Sequence, residues 1–286
     1  MQKTLPIRLA GLGIMLAGAF LAYTFQGQQP AALKLIEVEP NFHVIEGSGG
    51  NTSVYNTGDG VILVDTKFAR NFDQIMELVK SVTDEPIKYV FNTHTHGDHV
   101  GGNPNMLGLA DPPQLIAHNN TRANMIRNDQ PGPQPVTFGE EMEVHLGDKK
   151  VVAHYFGRSH TNGDIALYIP EHRLVVMGDM GANNGPNVDY NNGGSMLDWS
   201  NTINGVLEWD IETVVPGHGP VSPRQYAVDY RNRTEAILER VNVMMREGKG
   251  HDEIAAALEK EFDLPENHAV INRLEGIMGE IQASGR

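Results

Sequence analysis

The segment Phe91–Asn103 (FNTHTHGDHVGGN) restricts the possible folds of this chain more than any other stretch of its sequence. Six consecutive residues within it contain four side chains of metal-ligating type, which are His94, His96, Asp98 and His99. The apolar residues Ile87–Phe91 directly before them are typical of a buried strand. A buried strand that ends in such a cluster predicts a metal site at the carboxyl edge of a β-sheet, where α/β proteins place their chemistry.

The spacing within the cluster favours two metal positions. In an extended segment, residues two apart point to the same side, so His94 and His96 can bind one ion. Asp98 and His99 follow the turn at Gly97 and can face a second ion. Neutral imidazole and carboxylate ligands suit zinc, with iron or manganese as alternatives. A polar loop of solvated histidines is the other interpretation, and four ligand-type residues within six positions disfavour it.

The composition excludes several classes of protein. The 286 residues are 40% hydrophobic, which is enough to bury a full core and is not typical of disorder. A net charge of −14 argues against a nucleic-acid partner, because phosphate binding needs basic surfaces. The chain has no cysteine, and this excludes disulfides, thiolate metal ligands and a cysteine nucleophile.

The N-terminal residues predict export. Lys3 and Arg8 precede an apolar run over residues 9–25 (LAGLGIMLAGAFLAYTF). We interpret residues 1–25 as a cleaved export signal or an uncleaved membrane anchor, and residues 26–34 as a linker; a buried core helix is the third alternative. The protein would then be periplasmic or anchored facing the periplasm or the outside, and it would contact the membrane only through this segment.

The rest of the chain alternates between strand-like and helix-like segments. Strands are predicted at 35–38, 43–46, 53–56, 60–65, 87–91, 115–117, 142–146, 151–156, 165–169, 174–177 and 213–215. Helices are predicted at 68–82, 120–128, 199–209, 222–247, 252–262 and 266–282. The order indicates two α/β halves whose sheets pack face to face with helices outside. We therefore assign a catalytic domain to residues 35–221 and C-terminal helices to residues 222–286, which would cover the domain, roof its pocket or form a dimer face.

Two loops of this domain have open interpretations. Residues 180–195 are rich in asparagine and glycine without an apolar period, and long loops of compact domains are often functional. Tyr190 and the asparagines of this loop would contact the substrate, or else the loop is a surface feature. Residues 47–50 (GSGG) would form a flap or a plain hairpin turn.

Three later positions supply further ligand-type side chains, each after a strand-like segment. His160 lies in RSHTNGD (158–164), Asp179 in VVMGDMG (175–181) and His218 in VVPGHGP (214–220). The other seven histidines lack a second ligand at useful spacing, and we interpret them as structural or solvated. His118 alone follows a strand near the cluster, which leaves a supporting role at the site open.

With these residues in place, the chain resembles the metallo-β-lactamase fold superfamily of metallohydrolases. The pattern is H-x-H-x-D-H followed by a later His, Asp and His, and it spans roughly residues 36–220. The resemblance implies an α/β fold of the four-layer αββα sandwich type, with the C-terminal helices outside the motifs. It also implies these ligands: His94, His96 and His160 for a first Zn²⁺, Asp98, His99 and His218 for a second, and Asp179 as a bridge between them.

The resemblance also implies two catalytic roles. Two metal ions would share a hydroxide that attacks a carbonyl or phosphoryl centre, and Asp98 would orient it. Asp65, which ends the strand-like segment GVILVD, matches an aspartate that orients the ligand loop, although a simple strand-end turn is an alternative.

The predicted function is that of an exported dinuclear metal hydrolase acting on an ester, lactone or amide-like small molecule. A β-lactamase is the first alternative, but lactamases of this fold carry Cys or Ser where this chain has Asp179. A glutathione thioesterase fits Asp179 but not export, and the acidic chain disfavours a phosphodiesterase or nuclease. A mononuclear-iron persulfide oxygenase would not need His99 and His218. The remaining alternative is a catalytically inactive metal-binding module.

Overall fold

The structure is a computed structural model that describes residues 32–183 and 185–285. The predicted signal or anchor at residues 1–25 and most of the predicted linker at 26–34 lie outside these residues. No helix within the described ranges is long and apolar enough to cross a membrane.

The first sheet has seven strands that lie side by side in chain order. Strands β1 to β4 pair antiparallel, and β4 to β7 pair parallel. Parallel pairing aligns the carboxyl ends of β4 and β5, where Val64 pairs with Phe91. The strands are β1 (Lys34–Glu39), β2 (Phe42–Glu46), β3 (Thr52–Asn56), β4 (Val61–Val64), β5 (Ile87–Phe91), β6 (Gln114–His118) and β7 (Val136–Phe138).

The second sheet has six strands in the order β13-β12-β11-β10-β9-β8. Its pairs are antiparallel except β11 with β12, which are parallel and place Gly178 opposite Pro216. The residues after these two strands are therefore neighbours. The strands are β8 (Glu141–Leu146), β9 (Lys149–His154), β10 (Ala166–Ile169), β11 (Leu174–Gly178), β12 (Thr213–Pro216) and β13 (Ser222–Pro223).

Nine α-helices form within the described ranges. They are α1 (Phe72–Val82), α2 (Gly97–Val100), α3 (Asn103–Leu107), α4 (Asn119–Arg127), α5 (Met196–Leu207), α6 (Arg224–Arg246), α7 (His251–Phe262), α8 (Ala269–Asn272) and α9 (Leu274–Ser284). Short 3₁₀ turns lie at residues 69–71, 170–172, 179–181 and 190–192.

Apolar side chains pack in three layers that separate four layers of secondary structure. Between the sheets, Phe91 of the first sheet lies in one cluster with Val176 of the second. Outside the first sheet, Ile75 of α1 packs with the strands because the apolar residues of this helix recur at helical spacing. Outside the second sheet, Trp199 of α5 and Ile237 of α6 share a third cluster. This arrangement confirms the predicted αββα sandwich with C-terminal helices.

Some predicted boundaries differ from the structure. The predicted helix start at Ser222 is wrong, because Ser222 and Pro223 pair with β12 and α6 begins at Arg224. Helix α5 begins three residues before the predicted start, since the Ser195 side chain accepts a hydrogen bond from the Asp198 amide and caps it. The predicted helix 266–282 is two helices, the first of which begins only after the His268 side chain accepts from Val270 N.

The C-terminal helices share the core of the catalytic domain. Residues of α6, α7 and α9 lie in the same buried cluster as residues of α5, β11 and β12. Tyr226 of α6 donates a hydrogen bond from its hydroxyl to the Gly181 carbonyl, at 2.7 Å, directly after β11. The C-terminal helices therefore pack against the second sheet.

A shared core predicts cooperative unfolding of the helices with the domain. Ile237 is fully buried, so replacing it with alanine should lower the free energy of unfolding by about 2–5 kcal/mol. The exposed neighbour Glu239 provides a matched control, and Glu239→Ala should change it by less than about 0.5 kcal/mol. Equilibrium urea unfolding should show one transition for all three proteins. A separate early transition of the helices that alone moves in Ile237→Ala would contradict a shared core.

Candidate metal centre

The predicted site residues converge at one edge of the two packed sheets. Asp65 follows β4, and the cluster 94–99 follows β5. Asp179 follows β11, and His218 lies two residues after β12. Parallel pairing of β4 with β5 and of β11 with β12 brings these strand ends together.

The seven predicted ligand residues lie in two groups that could each hold a metal ion. Within each group, one ligand atom per residue lies within 4.8 Å of all the others. The groups are His94, His96, His160 and Asp179, and then Asp98, His99 and His218. This division matches the one that the resemblance implies.

The first group brings three imidazoles together in a buried place. His160 Nε2 lies 2.7 Å from His96 Nδ1 and 3.6 Å from Asp179 Oδ2. His94 Nδ1 lies 3.1 Å from the Thr93 hydroxyl, whereas its Nε2 is buried and has no hydrogen-bond partner among the described residues. A buried nitrogen without a partner costs free energy unless something binds it. These contacts fit a metal ion that accepts the imidazole lone pairs.

The second group lies against the other face of Asp179. His218 Nε2 lies 3.2 Å from Asp98 Oδ2 and 3.4 Å from His99 Nε2. Asp179 Oδ1 is 3.3 Å from His99 Nε2 and 3.5 Å from His218 Nε2. The two oxygens of Asp179 thus face different groups, which is the arrangement that a bridging carboxylate needs.

Asp65 holds His99 of the second group in its orientation. Its Oδ2 accepts hydrogen bonds from His99 Nδ1 and the Thr93 hydroxyl, each at 2.7 Å, and its Oδ1 accepts from Thr93 N at 2.8 Å. With the proton of His99 fixed on Nδ1, the lone pair of Nε2 points to the group. The alternative of a simple strand-end turn does not account for these three contacts.

Two further residues hold the first group, and the sequence patterns did not single them out. Asp189 Oδ2 accepts from His96 Nε2 at 2.7 Å, so His96 turns its Nδ1 to the group. The backbone carbonyl of Asn187 accepts from His160 Nδ1 at 2.5 Å. Both lie in the loop 180–195, for which the sequence left a functional role and a surface role open and did not show which groups face the site.

The structure gives the contacts of Tyr190 and His118, two residues whose roles the sequence left open. The Tyr190 hydroxyl donates to Glu280 of α9 at 3.0 Å and so points to the C-terminal helices, which corrects the idea that it contacts substrate. The His118 ring stacks on Tyr155 with centroids 4.0 Å apart and donates to the Gly139 carbonyl at 2.8 Å. Its contacts are those of a structural histidine.

The glycine loop 47–50 lies over the second group and is fastened by a buried lysine. A side chain at Gly50 would collide with the His99 ring, so only glycine allows this approach. Lys67 is fully buried, and its Nζ donates to the carbonyls of Gly47, at 2.8 Å, and Gly50. Burial lowers the pKa of Lys67 to about 8, although the nearby Asp65 and Asp98 charges oppose this.

The charges of the site favour a bound cation. Burial keeps the pKa of both His94 and His160 below the usual range, so these imidazoles are neutral. Burial would also lower the pKa of His99, but the carboxylates of Asp179 and Asp65 raise it well above that range. Burial opposes ionisation of Asp98 as well, yet its neighbours His218 and His99 bring its pKa to about 2. The neutral imidazoles of His94 and His160 beside ionised carboxylates suit a divalent cation, and a cation bound at His99 would take the place of its proton.

Comparisons with known proteins agree with this geometry. Residues 45–218, more than half of the chain, match the family model "Metallo-beta-lactamase superfamily". A metallo-beta-lactamase type 2 of Bacillus cereus is 26% identical over 196 residues, which are 66% of this chain and 74% of that protein. The solved structure of a metallo-beta-lactamase from Pontibacter korlensis has a TM-score of 0.65 at 17% identity, covers 71% of this chain and 99% of its own, and therefore shows a shared fold.

A second relative has a different printed activity. The subunit alpha of a 2,4-dinitroanisole O-demethylase from Nocardioides sp. (strain JS1661) is 29% identical over 179 residues. The match covers 60% of this chain and 53% of that protein, so the chain spans about half of its length. Similarity to proteins of such different activities indicates a family and leaves the substrate open.

The lowered pKa of Lys67 predicts a stability change with pH. The folded protein releases this proton near pH 8 and the unfolded chain only near pH 10.5, so the unfolded state binds more protons between these values. The free energy of unfolding of the wild type should therefore rise between pH 7.5 and 10 relative to Lys67→Met, by about 1–3 kcal/mol. Urea unfolding of both proteins at several pH values measures this. The exposed Lys260→Met is the control, and parallel curves for wild type and Lys67→Met would contradict the buried charge.

Proposed function

Since the chain belongs to the metallo-β-lactamase superfamily, we propose that it is an exported hydrolase with two metal ions, zinc first among them, that cleaves an ester, lactone or amide-like bond in a small molecule. The observation that carries this proposal is the complete set of ligand side chains in two groups joined by Asp179. Export rests on the N-terminal residues alone, which carry basic side chains before an apolar run.

Each residue of the site has a place in this proposal. The residues that would hold the ions are His94, His96, His160 and Asp179 for the first, and Asp98, His99, His218 and the same Asp179 for the second. When bound, such ions lower the pKa of a water molecule and polarise the bond that is cleaved. Asp65 and Asp189 keep His99 and His96 in the orientation that binding needs.

The exposed side of the site is where a substrate would approach. The His94 and His99 side chains are fully buried, whereas those of His96, Asp98 and His218 are 29%, 23% and 31% exposed. Asp98 is ionised at neutral pH because its pKa is about 2, so its carboxylate can accept a hydrogen bond from the attacking water and orient it. The buried His94 and His99 lie on the inner side of the site and the ionised Asp98 lies on its exposed side. This arrangement supports attack by a water molecule from the solvent side.

The substrate class follows from the charge and the ligand set. The chain has a net charge of −14, which disfavours polyanions such as nucleic acids. The aspartate at position 179 favours esters, lactones and amide-like bonds over β-lactams, by the resemblance described above. β-Lactam hydrolysis is nevertheless the second candidate, because the relative from Bacillus cereus is a metallo-beta-lactamase. The complete second group disfavours a single-iron oxygenase.

A substrate panel tests the proposal. The zinc-loaded chain would be assayed with a chromogenic cephalosporin, an aryl ester, a lactone and an aryl phosphodiester, each with and without a chelator. We expect turnover of the ester or lactone that the chelator abolishes and zinc restores. Chelator-sensitive turnover of the cephalosporin alone would replace the proposal with its second candidate. Absence of all turnover from a protein that holds two zinc ions would contradict a hydrolase of this substrate class.

Replacement of Asp98 is the single substitution that tests the proposed function most directly. Asp98→Ala removes a ligand of the second group and the carboxylate that would orient water, so turnover should fall by about 100-fold or more. The second metal should bind about 10–100-fold more weakly, and the first should change less. Stepwise metal titration in the presence of a competing chelator measures both affinities. The exposed Asp111→Ala is the control, and full activity of Asp98→Ala would contradict the assigned role.

A further inference from the structure

The carboxylate of Glu280 on the C-terminal helix α9 binds the loop 180–195, which supports the candidate metal centre. We propose that Glu280 is a positioning residue for the first metal group, which it supports by holding the turn that places Asp189 against His96. The proposal rests on the proposed function only in taking His96 as a metal ligand. It gives the helices beyond the superfamily motifs a role in metal binding as well as in packing.

Glu280 accepts three hydrogen bonds, two from the loop 180–195 and one from the first residue of α5. Its Oε1 accepts from the Ser195 hydroxyl at 2.5 Å, and its Oε2 accepts from Met196 N at 2.9 Å and from the Tyr190 hydroxyl at 3.0 Å. Met196 is the first residue of α5, so the carboxylate also lies at the positive end of that helix. Glu280 therefore joins the two ends of the turn 189–195, through its contacts with Tyr190 and Ser195.

Close packing of α9 supports the same contact. A side chain at Gly276, one turn before Glu280, would come within 2.5 Å of the Tyr190 ring. Glycine at this position lets the Tyr190 ring lie directly on the helix. The Tyr190 side chain is thus held by its ring and by its hydroxyl, and the residue directly before it is Asp189.

Asp189 connects this turn to two residues of the first group, to the imidazole of His96 and to the backbone of His160. Its carboxylate accepts from His96 Nε2 at 2.7 Å, and its backbone N donates to the His160 carbonyl at 2.8 Å. Gly194 N donates to the Asp189 carbonyl at 2.9 Å and closes the turn. The position of Asp189 therefore decides where His96 Nδ1 points, and that atom lies 2.7 Å from His160 Nε2.

Helix α4 holds the same turn from the opposite side. Arg127 donates to the Asn191 carbonyl at 2.9 Å and to Asn192 Oδ1 at 2.8 Å. Asn192 in turn donates from its side-chain amide to Asp189 Oδ2 at 2.6 Å. These contacts of α4 remain when Glu280 is changed. We therefore expect the turn to shift its position in such a variant and not to unfold.

The experiment measures metal binding in full-length chains without substrate. The variants are Glu280→Ala, Glu280→Gln and Tyr190→Phe, with Glu275→Ala as the control on the exposed side of the same helix. Cobalt(II) would be titrated against a competing chelator and followed by its visible absorption. The exchange rate of the His96 Nε2 proton, observed by NMR, reports the hydrogen bond to Asp189 directly.

We expect Glu280→Ala to weaken the first metal about 10-fold, to change its absorption band and to speed exchange of the His96 proton. Glu280→Gln keeps one accepting oxygen and should lie between alanine and wild type. Tyr190→Phe removes one hydrogen bond without a charge and should change metal affinity in the same direction, by roughly 2–4-fold. Glu275→Ala should match wild type.

Two results would overturn the proposal. In the first, Glu280→Ala has a lower melting temperature, but its cobalt affinity and His96 proton exchange, measured about 20 °C below that melting temperature, equal those of the wild type. Glu280 would then be only a helix cap. The other, which applies even if Glu280→Ala fails to fold, is wild-type cobalt affinity and proton exchange in both Tyr190→Phe and Glu280→Gln. Because no substrate is used, either result stands apart from the outcome of the hydrolysis panel.

Discussion

The buried hydrogen bond between Asp65 and His99 is the interaction on which the rest of the site depends. It joins the end of β4 to the cluster after β5 and leaves His99 Nε2 facing Asp179. Two carboxylates on either side of one buried imidazole raise its pKa, so the site requires a positive charge, either a proton on His99 or a metal ion. His94 Nε2, which is buried without a partner among the described residues, favours the metal ion.

The two sheets supply this arrangement by their strand order. Each sheet has a parallel pair whose strands end at residues of the site: β4 and β5 end before Asp65 and the cluster 94–99, and β11 and β12 end before Asp179 and His218. Face-to-face packing then brings the two sets of loops to one edge. The loop 180–195 completes the site. It begins directly after Asp179, places Asp189 against His96, and ends at Ser195, whose hydroxyl donates to Glu280 of the C-terminal helices. Metal binding and packing of those helices are thereby linked through one segment.

Much of this could be predicted from the sequence, for physical reasons. Buried strands and amphipathic helices follow from apolar periodicity, and the ligand residues follow from their chemistry and spacing. Periodicity did not find β7, with only three residues, or the two-residue strand Ser222–Pro223, because such short segments show no repeat. Asp189, Lys67 and Glu280 were missed because their roles depend on contacts between residues far apart in the chain. An isolated acidic or basic residue in a sequence carries no sign of such a contact.

The most direct test of a site for two ions is the metal content of the purified chain. Metal-free protein would be dialysed against zinc, and separately against iron(II), and the bound metal counted per chain by elemental analysis. We predict two zinc ions per chain, with the loss of one in a variant in which His99 and His218 are both replaced by alanine. A single bound iron that zinc does not displace, unchanged in that variant, would contradict the two-ion site and favour the oxygenase chemistry.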